Sequence, residues 1–196
     1  LGHKWCNYWF HVHHLNTNSG KMSKSSGEFL TVSLLESKGY NPLVYRLFCL
    51  QSHYRKSLVF SYENLDNAAT AYNKIVARLL ALLKEEQSEM DQAAFDSLKA
   101  GFCAGLDSDL NTSLGVTAIY DVLKAQTTPA TKLALIEDFD RVLGLDLVAA
   151  AKKALEAEQA AAETASDDPF VQEIEEMIRQ RAEAKKAKDY AKADAI

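Results

Sequence analysis

Hydrophobic residues recur with a helical period through most of the chain after residue 60. Between Leu65 and Leu83 they return every three or four positions, which predicts one long amphipathic helix from Tyr62 to about Glu86. Capping residues and further apolar stripes predict later helices that begin at Asp91, at Thr112 or Ser113, at Pro129 and at Asp146. Gly144 is the predicted stop of the helix that begins at Pro129. Because the loops between these helices are short, we expect antiparallel neighbours in a helix bundle.

The first 60 residues show a mixed pattern. Aromatic and β-branched residues predict a short strand at His11–Leu15, and Asn16–Gly20 has the composition of a turn. Three more elements are predicted in order: a helix from a capping box at Ser33 to a stop at Gly39, a helix from Asn41 and Pro42 to Leu50, and an extended piece at Ser57–Phe60.

Composition is that of an ordinary globular protein. The 196 residues are 47% hydrophobic and 25% charged, enough for one large domain or two small ones. No apolar run reaches membrane-spanning length, so we expect no membrane partner. The three cysteines, Cys6, Cys49 and Cys103, are odd in number and widely spaced, which favours reduced thiols in the cytoplasm over a disulfide framework.

Charge divides the chain into two parts. The first 60 residues carry seven Lys or Arg and two Glu, whereas the whole chain has a net charge of −5. The front is therefore +5 and the remainder −10. This asymmetry places phosphate-facing chemistry at the front and argues against a broad basic groove in the helical remainder.

One short string, Lys21-Met22-Ser23-Lys24-Ser25, carries the clearest candidate chemistry; we call it the lysine loop. Two ammonium groups three residues apart, with hydroxyls between them, suit a loop that closes over a polyphosphate. Such a loop can stabilise charge that develops on phosphate oxygens during reaction. We therefore interpret residues 21–25 as a phosphate-binding loop that follows a β-hairpin.

The lysine loop is the second signature of the class I aminoacyl-tRNA synthetases, and the rest of the chain resembles the cysteinyl-tRNA synthetase family. Five blocks occur in that family's order and cover nearly the whole chain. They are Tyr8–His11, the lysine loop with Gly27–Val32, Gln51–Leu58 (resembling S-x-HYRS-x-L), Asp107–Thr112 (resembling D-D-D-F-N-T) and Lys188–Asp194 (resembling K-D-F-x-x-A-D).

The resemblance implies an enzyme that activates cysteine with ATP and Mg, forming cysteinyl-adenylate, and then transfers the cysteine to tRNA(Cys). Lys21 and Lys24 would be the catalytic lysines, and Ser23, Lys24 and Ser25 would hold the ATP phosphates. The implied tRNA contacts are His53, Tyr54, Arg55, Lys56, Arg181 and Lys185. The family also holds a zinc ion, but its ligands precede the residues that match here, so no metal ligand is assigned to this chain. We expect a cytoplasmic monomer.

The resemblance also implies a domain order. Residues 1–60 would be the tail of a Rossmann-type catalytic domain, with the hairpin, the lysine loop and stem-contact helices. Residues 61–165 would form a DALR-like, tRNA-binding bundle, and residues 166–196 would begin the anticodon-recognition helices. The fold class is therefore mainly α. Because the chain lacks an H-I-G-H signature, we expect it to be inactive alone.

Two other functions fit parts of the sequence. A non-catalytic helical module could bind RNA or protein with a vestigial lysine loop, and a related ligase joins cysteine to an amino-sugar with the same loop.

Metal sites are less favoured. His11, His13 and His14 would not all face one side of a strand. Asp107, Asp109 and Asn111 lack the glycine and glutamate of a calcium loop. Asp109 and Asn111 are better suited to capping the next helix.

Overall fold

The computed structural model describes residues 2–17, 20–21, 30–86, 88–166, 177–182 and 185–186, which form two compact units, Leu1–Lys152 and Lys153–Ile196. These residues are mainly helical, as the periodicity predicted. The strands are β1 (Leu15–Thr17), β2 (Gly20–Lys21) and β3 (Leu58–Phe60). The helices with assigned bounds are α1 (Val32–Ser37), α2 (Pro42–Leu50), α3 (Tyr62–Lys84), α4 (Gln92–Asp107), α5 (Thr112–Lys124), α6 (Pro129–Leu143) and α7 (Leu147–Ser166).

A small sheet has the strand order β2-β1-β3. The strand β1 pairs antiparallel with β2 and parallel with β3, so that Leu15 lies opposite Leu58. The predicted hairpin and the extended segment before Ser61 are confirmed. The predicted strand at His11–Leu15 is wrong in position, and the predicted turn at Asn16–Gly20 is partly strand. Pairing begins only at Leu15 because β3, the partner on that edge, begins at Leu58.

Two predicted helix starts are also displaced. The N-cap of α1 is Thr31, whose Oγ1 accepts a hydrogen bond from the Leu34 N–H at 3.1 Å, and not Ser33. The N-cap of α5 is Asn111, and not Thr112 or Ser113. In each case a side-chain acceptor one or two residues earlier reaches the free amides of the first turn, so the helix begins there.

Four other predicted caps and stops are confirmed. Asn41 caps α2 ahead of Pro42, and Asp91 caps α4. Gly39 and Gly144 stop α1 and α6 with φ values of +86° and +61°, in the left-handed region that glycine adopts without strain.

One hydrophobic core joins the helices on both sides of residue 60. Leu47 of α2, Leu65 of α3 and Phe139 of α6 are fully buried in it. The Phe102 and Phe139 rings stack with their centroids 4.0 Å apart. Helix α6 contacts α3, α4 and α5, and α2 contacts both α3 and α5. The segment that follows α2 is therefore held against the later helices.

Helices α4 and α5 approach closely at two glycines. A Cβ atom at Gly105 would lie 3.0 Å from the Leu114 Cβ, and one at Gly115 would lie 3.3 Å from the Phe102 ring. This contact sets the position of the loop between α4 and α5. Among the residues described, no helix combines the length and the apolar content needed to cross a membrane.

Candidate functional site

The turn between α2 and β3, residues 53–56, contains four of the predicted site residues. The Lys56 N–H donates to the His53 carbonyl oxygen at 2.9 Å and closes the turn. The Arg55 N–H donates to the His53 Nδ1 at 3.2 Å, so a neutral His53 ring carries its proton on Nε2. These two hydrogen bonds hold the backbone of the turn and orient the His53 ring.

Asp109, in the loop between α4 and α5, meets this turn. The Tyr54 hydroxyl donates to its Oδ1 at 2.6 Å, and the Arg55 Nε donates to its Oδ2 at 2.6 Å. A second Arg55 nitrogen, Nη2, lies 3.3 Å from Oδ1, which completes a two-pronged ion pair. The His53 Nε2 is 3.7 Å from Oδ2. We call His53, Tyr54, Arg55 and Asp109 the Asp109 cluster.

The backbone of the α4–α5 loop presents this carboxylate. Asp109 and Leu110 have φ values of +57° and +51°, which is uncommon for residues other than glycine. The Leu110 N–H donates to the Leu106 carbonyl oxygen at 2.8 Å, so the loop folds back on the end of α4. The Asp109 carboxylate that meets the 53–56 turn is therefore carried by a tightly turned loop with two consecutive left-handed residues.

Electrostatics within the cluster favour one protonation state. Hydrogen bonds from Arg55 and then from Tyr54 hold the pKa of the Asp109 carboxyl below its ordinary value. The hydrogen bond to Asp109 raises the pKa of both Tyr54 and Arg55. At neutral pH the cluster therefore contains a carboxylate, a guanidinium and a neutral phenol that acts as a donor. The cluster lies at the surface, where it can position groups for a partner but has no buried base.

The prediction for Asp109 and Asn111 is half confirmed. The Asn111 Oδ1 accepts from the Leu114 N–H at 3.3 Å and caps α5, as expected. Asp109 does not cap the helix, because its carboxylate is occupied by Tyr54 and Arg55. No local pattern indicates this pairing, since Arg55 and Asp109 are 54 residues apart.

Two further hydrogen bonds brace the turn. The Thr112 hydroxyl, at the first residue of α5, donates to the Leu50 carbonyl oxygen at 2.9 Å at the end of α2. The Asn16 side-chain amide on β1 donates to the Ser57 hydroxyl at 2.8 Å. The turn is therefore fixed on one side to α5 and on the other to the hairpin that precedes the lysine loop.

A cavity of about 280 Å³ lies beside the turn, and Leu15, Cys49, His53 and Thr112 are among its lining residues. Burial raises the pKa of the Cys49 thiol. The thiol is therefore protonated at neutral pH, and Cys49 lacks the character of an activated nucleophile. Cys6, Cys49 and Cys103 are all free thiols, in agreement with the prediction of reduced cysteines.

The remaining predicted site residues lie elsewhere. The backbone of Lys21 belongs to β2, and Ser23, Lys24 and Ser25 lie outside the described residues. Arg181 and Lys185 lie in helical stretches of the second unit and are exposed. Within the described part of the chain, no three His, Cys, Asp or Glu side chains converge as metal ligands would.

Comparisons with known proteins extend these observations. Residues 1–70 match the model of a family described as tRNA synthetases class I (C) catalytic domain. The chain is 40% identical over 192 residues to a cysteine–tRNA ligase of Novosphingobium aromaticivorans, covering 96% of this chain and 38% of that protein. It is 35% identical to cysteine–tRNA ligase 1 of Burkholderia lata, covering 100% of this chain and 38% of that protein.

A cysteine–tRNA ligase of Brevibacillus brevis is 32% identical, covering 100% of this chain and 42% of that protein. By sequence, the chain is similar over nearly its whole length to part of these cysteine–tRNA ligases. It spans about two-fifths of the length of the curated relatives it matches.

The family match covers only part of the Asp109 cluster. The 53–56 turn lies inside residues 1–70, which match the synthetase catalytic-domain family, whereas Asp109 lies beyond them. The alignment with the Burkholderia lata ligase covers both parts. The Asp109 cluster is thus a contact between the catalytic-domain match and the helices that follow it.

Proposed function

We propose that this chain is the part of a cysteine–tRNA ligase that supplies the ATP-phosphate loop and the helices that dock tRNA. The similarity of the whole chain to part of a cysteine–tRNA ligase carries this proposal. The enzyme would activate cysteine with ATP and Mg to form cysteinyl-adenylate, and would then pass the cysteine to tRNA(Cys). With only about two-fifths of a relative's length, the chain would be inactive alone.

In this proposal the lysine loop acts on ATP. Lys24 contacts the phosphates in the activation transition state, where a mobile ammonium group follows the developing charge. Lys21 positions the loop, and the Ser23 and Ser25 hydroxyls donate to phosphate oxygens. The antiparallel pairing of Lys21 with Asn16 places the start of this loop at the edge of the sheet. Closure over ATP would make the loop an induced-fit lid.

The Asp109 cluster and its neighbour Lys56 would face the tRNA. Asp109 holds Tyr54 and Arg55 in fixed positions, so less ordering is needed when RNA arrives. Lys56 is exposed and adds a positive charge beside them. Arg181 and Lys185 would contact the tRNA from the second unit.

The same proposal includes a domain order, a cellular location and an oligomeric state. Residues 1–60 would end a Rossmann-type catalytic domain, residues 61–165 would be an antiparallel DALR-like bundle, and residues 166–196 would begin the anticodon-recognition helices. The enzyme would be a cytoplasmic monomer. Within the described part of the chain no residue set fits zinc, and the resemblance implies that the enzyme's zinc ligands precede the residues that match here.

The test uses the full-length protein and measures ATP–pyrophosphate exchange with cysteine. Lys24→Ala should slow exchange by more than about tenfold with little change in cysteine binding, because its charge acts on the transition state. Lys4→Ala removes an exposed lysine of the same basic segment and should leave the rate unchanged. An unaltered rate in Lys24→Ala would remove Lys24 from the mechanism. Charging of an amino-sugar in place of tRNA would favour the related ligase, and neither activity would favour the binding module.

A further inference from the structure

A second concave surface lies between α3 and α5, away from the Asp109 cluster. It is a cleft of about 430 Å³ that contains the side chains of Lys74 and Arg78 from α3 and Lys124 from α5. Asn67, Thr70 and Tyr120 also line it and add amide and hydroxyl donors. We call it the α3–α5 cleft.

The cations of this cleft are not neutralised by neighbouring acids. Within the described part of the chain, Lys74, Arg78 and Lys124 form no ion pair with a carboxylate. Two nearby acids are directed elsewhere. Asp66 of α3 accepts a hydrogen bond from the Tyr40 hydroxyl at 2.6 Å. Asp121, next to Tyr120 on α5, lines a separate cleft toward α4. The three positive charges therefore face solvent together.

The local charge is opposite to that of its surroundings. Residues 61–196 carry −10, yet this cleft presents three cations and no carboxylate among its lining residues. Its shape is fixed by the core, because Ile75 is buried beneath it and α6 contacts both α3 and α5. Lys74 and Arg78 lie four residues apart, one turn of α3, so they project from the same face. The three cations therefore share one concave surface whose walls are held by the core.

We propose that the α3–α5 cleft binds the phosphate backbone of RNA, as a second docking point besides the Asp109 cluster. The inference rests on the proposed function, which supplies an RNA as the partner. Lysine and arginine without acceptors, together with hydroxyl and amide donors, match phosphate and ribose oxygens. The cleft is larger than one phosphate group and has the size of a small-ligand site, which leaves room for the adjoining sugar.

The experiment measures binding of a fluorescently labelled tRNA(Cys) transcript to the full-length protein over a range of salt concentrations. The test variant combines Lys74→Gln, Arg78→Gln and Lys124→Gln. The control combines Lys99→Gln, Arg141→Gln and Lys152→Gln, which removes the same charge from cations that pair with Asp138 or Glu137. Thermal unfolding of all three proteins checks that they are folded.

We expect the test variant to bind RNA about tenfold or more weakly at low salt, with a salt slope smaller by about one unit for each cation lost. The control should change both quantities much less. Equal effects of the two variants, or wild-type binding by the test variant, would overturn the proposal.

Two competitors separate other anions from RNA. Pyrophosphate tests for a small-anion site, and polyglutamate tests for an acidic protein partner. The proposal would also be overturned if the test variant no longer bound pyrophosphate or polyglutamate but still bound RNA. ATP–pyrophosphate exchange by the wild type is measured in parallel. If the wild type binds RNA through the cleft but catalyses no exchange, the ligase assignment fails while the cleft stands.

Discussion

The Arg55 guanidinium and the Asp109 carboxylate form a two-pronged ion pair, with Nε to Oδ2 at 2.6 Å and Nη2 to Oδ1 at 3.3 Å. This pair joins the turn after α2 to the loop before α5. The guanidinium is thus oriented without any ligand. An unpaired arginine side chain samples many rotamers. Because Asp109 holds the Arg55 side chain in one rotamer, less conformational entropy is lost when a partner binds.

Replacing Asp109 should change the titration of Tyr54. In Asp109→Asn the carboxylate charge is lost, so we expect the pKa of Tyr54 to fall toward its ordinary value of 10.0. Asparagine tolerates the positive φ of this position, so the loop is preserved. Phenolate absorbance as a function of pH, taken as a difference from Tyr54→Phe, measures the shift. Asp107→Asn is the matched control and should leave the pKa of Tyr54 unchanged.

Acid should weaken the same contact. Because Arg55 and Tyr54 lower the pKa of Asp109 beneath its ordinary value of 3.8, the carboxylate stabilises the folded state fully above that value. The contribution is lost as the pH falls through the lower, folded-state pKa. The gap in melting temperature between wild type and Asp109→Asn should therefore be constant near neutrality and shrink below about pH 4. A gap that does not change with pH would show that the charge of Asp109 contributes nothing.

Two glycines of α4 provide a test of helix packing. A Cβ at Gly101 would meet nothing within 4 Å, so Gly101→Ala should stabilise the protein by about 0.5–1 kcal/mol through helix propensity. A Cβ at Gly105 would lie 3.0 Å from the Leu114 Cβ, an atom fixed to the backbone of α5. Gly105→Ala should therefore be less stable than both Gly101→Ala and the wild type. Urea unfolding measures all three, and equal stabilisation by both alanines would contradict the close approach.

A buried hydroxyl joins α6 to the start of α4. The Thr131 Oγ1 is fully buried and accepts from the Asp91 N–H at 2.8 Å. Thr131→Val keeps the shape but leaves that amide without an acceptor, which should cost about 1–3 kcal/mol of unfolding free energy. Thr117→Val, on the exposed face of α5, should cost much less. If the Thr131→Val and Thr117→Val proteins are equally stable in urea, the Asp91 N–H finds another acceptor.

Local sequence signals predicted much of the fold. The stripe from Leu65 to Leu83 predicted α3 to within two residues at its end, and Gly144 marked the end of α6. The starts of α1 and α5 were displaced because neighbouring residues compete as caps. Thr31 and Ser33, or Asn111 and Thr112, carry similar acceptors, and only the path of the incoming chain decides between them.

The candidate sites depended on contacts that no local pattern encodes. The resemblance placed the blocks around Tyr54 and Asp109 in order along the chain, but it did not indicate that they touch. The α3–α5 cleft was missed for a different reason. Lys74 and Lys124 lie on separate helices within a strongly acidic segment, so net charge concealed a local excess of cations. Both features follow from packing of the core, which brings distant residues together.

The three-residue strand β1 is hydrogen-bonded along both edges, to β2 on one side and to β3 on the other. It is thus the central strand between two segments. One of them leads into the lysine loop, and the other follows the 53–56 turn. Shifting β1 along its axis would carry both segments with it. In the proposed ligase, the segment that approaches ATP and the segment that approaches RNA would therefore be coupled through β1 and the Asn16–Ser57 hydrogen bond.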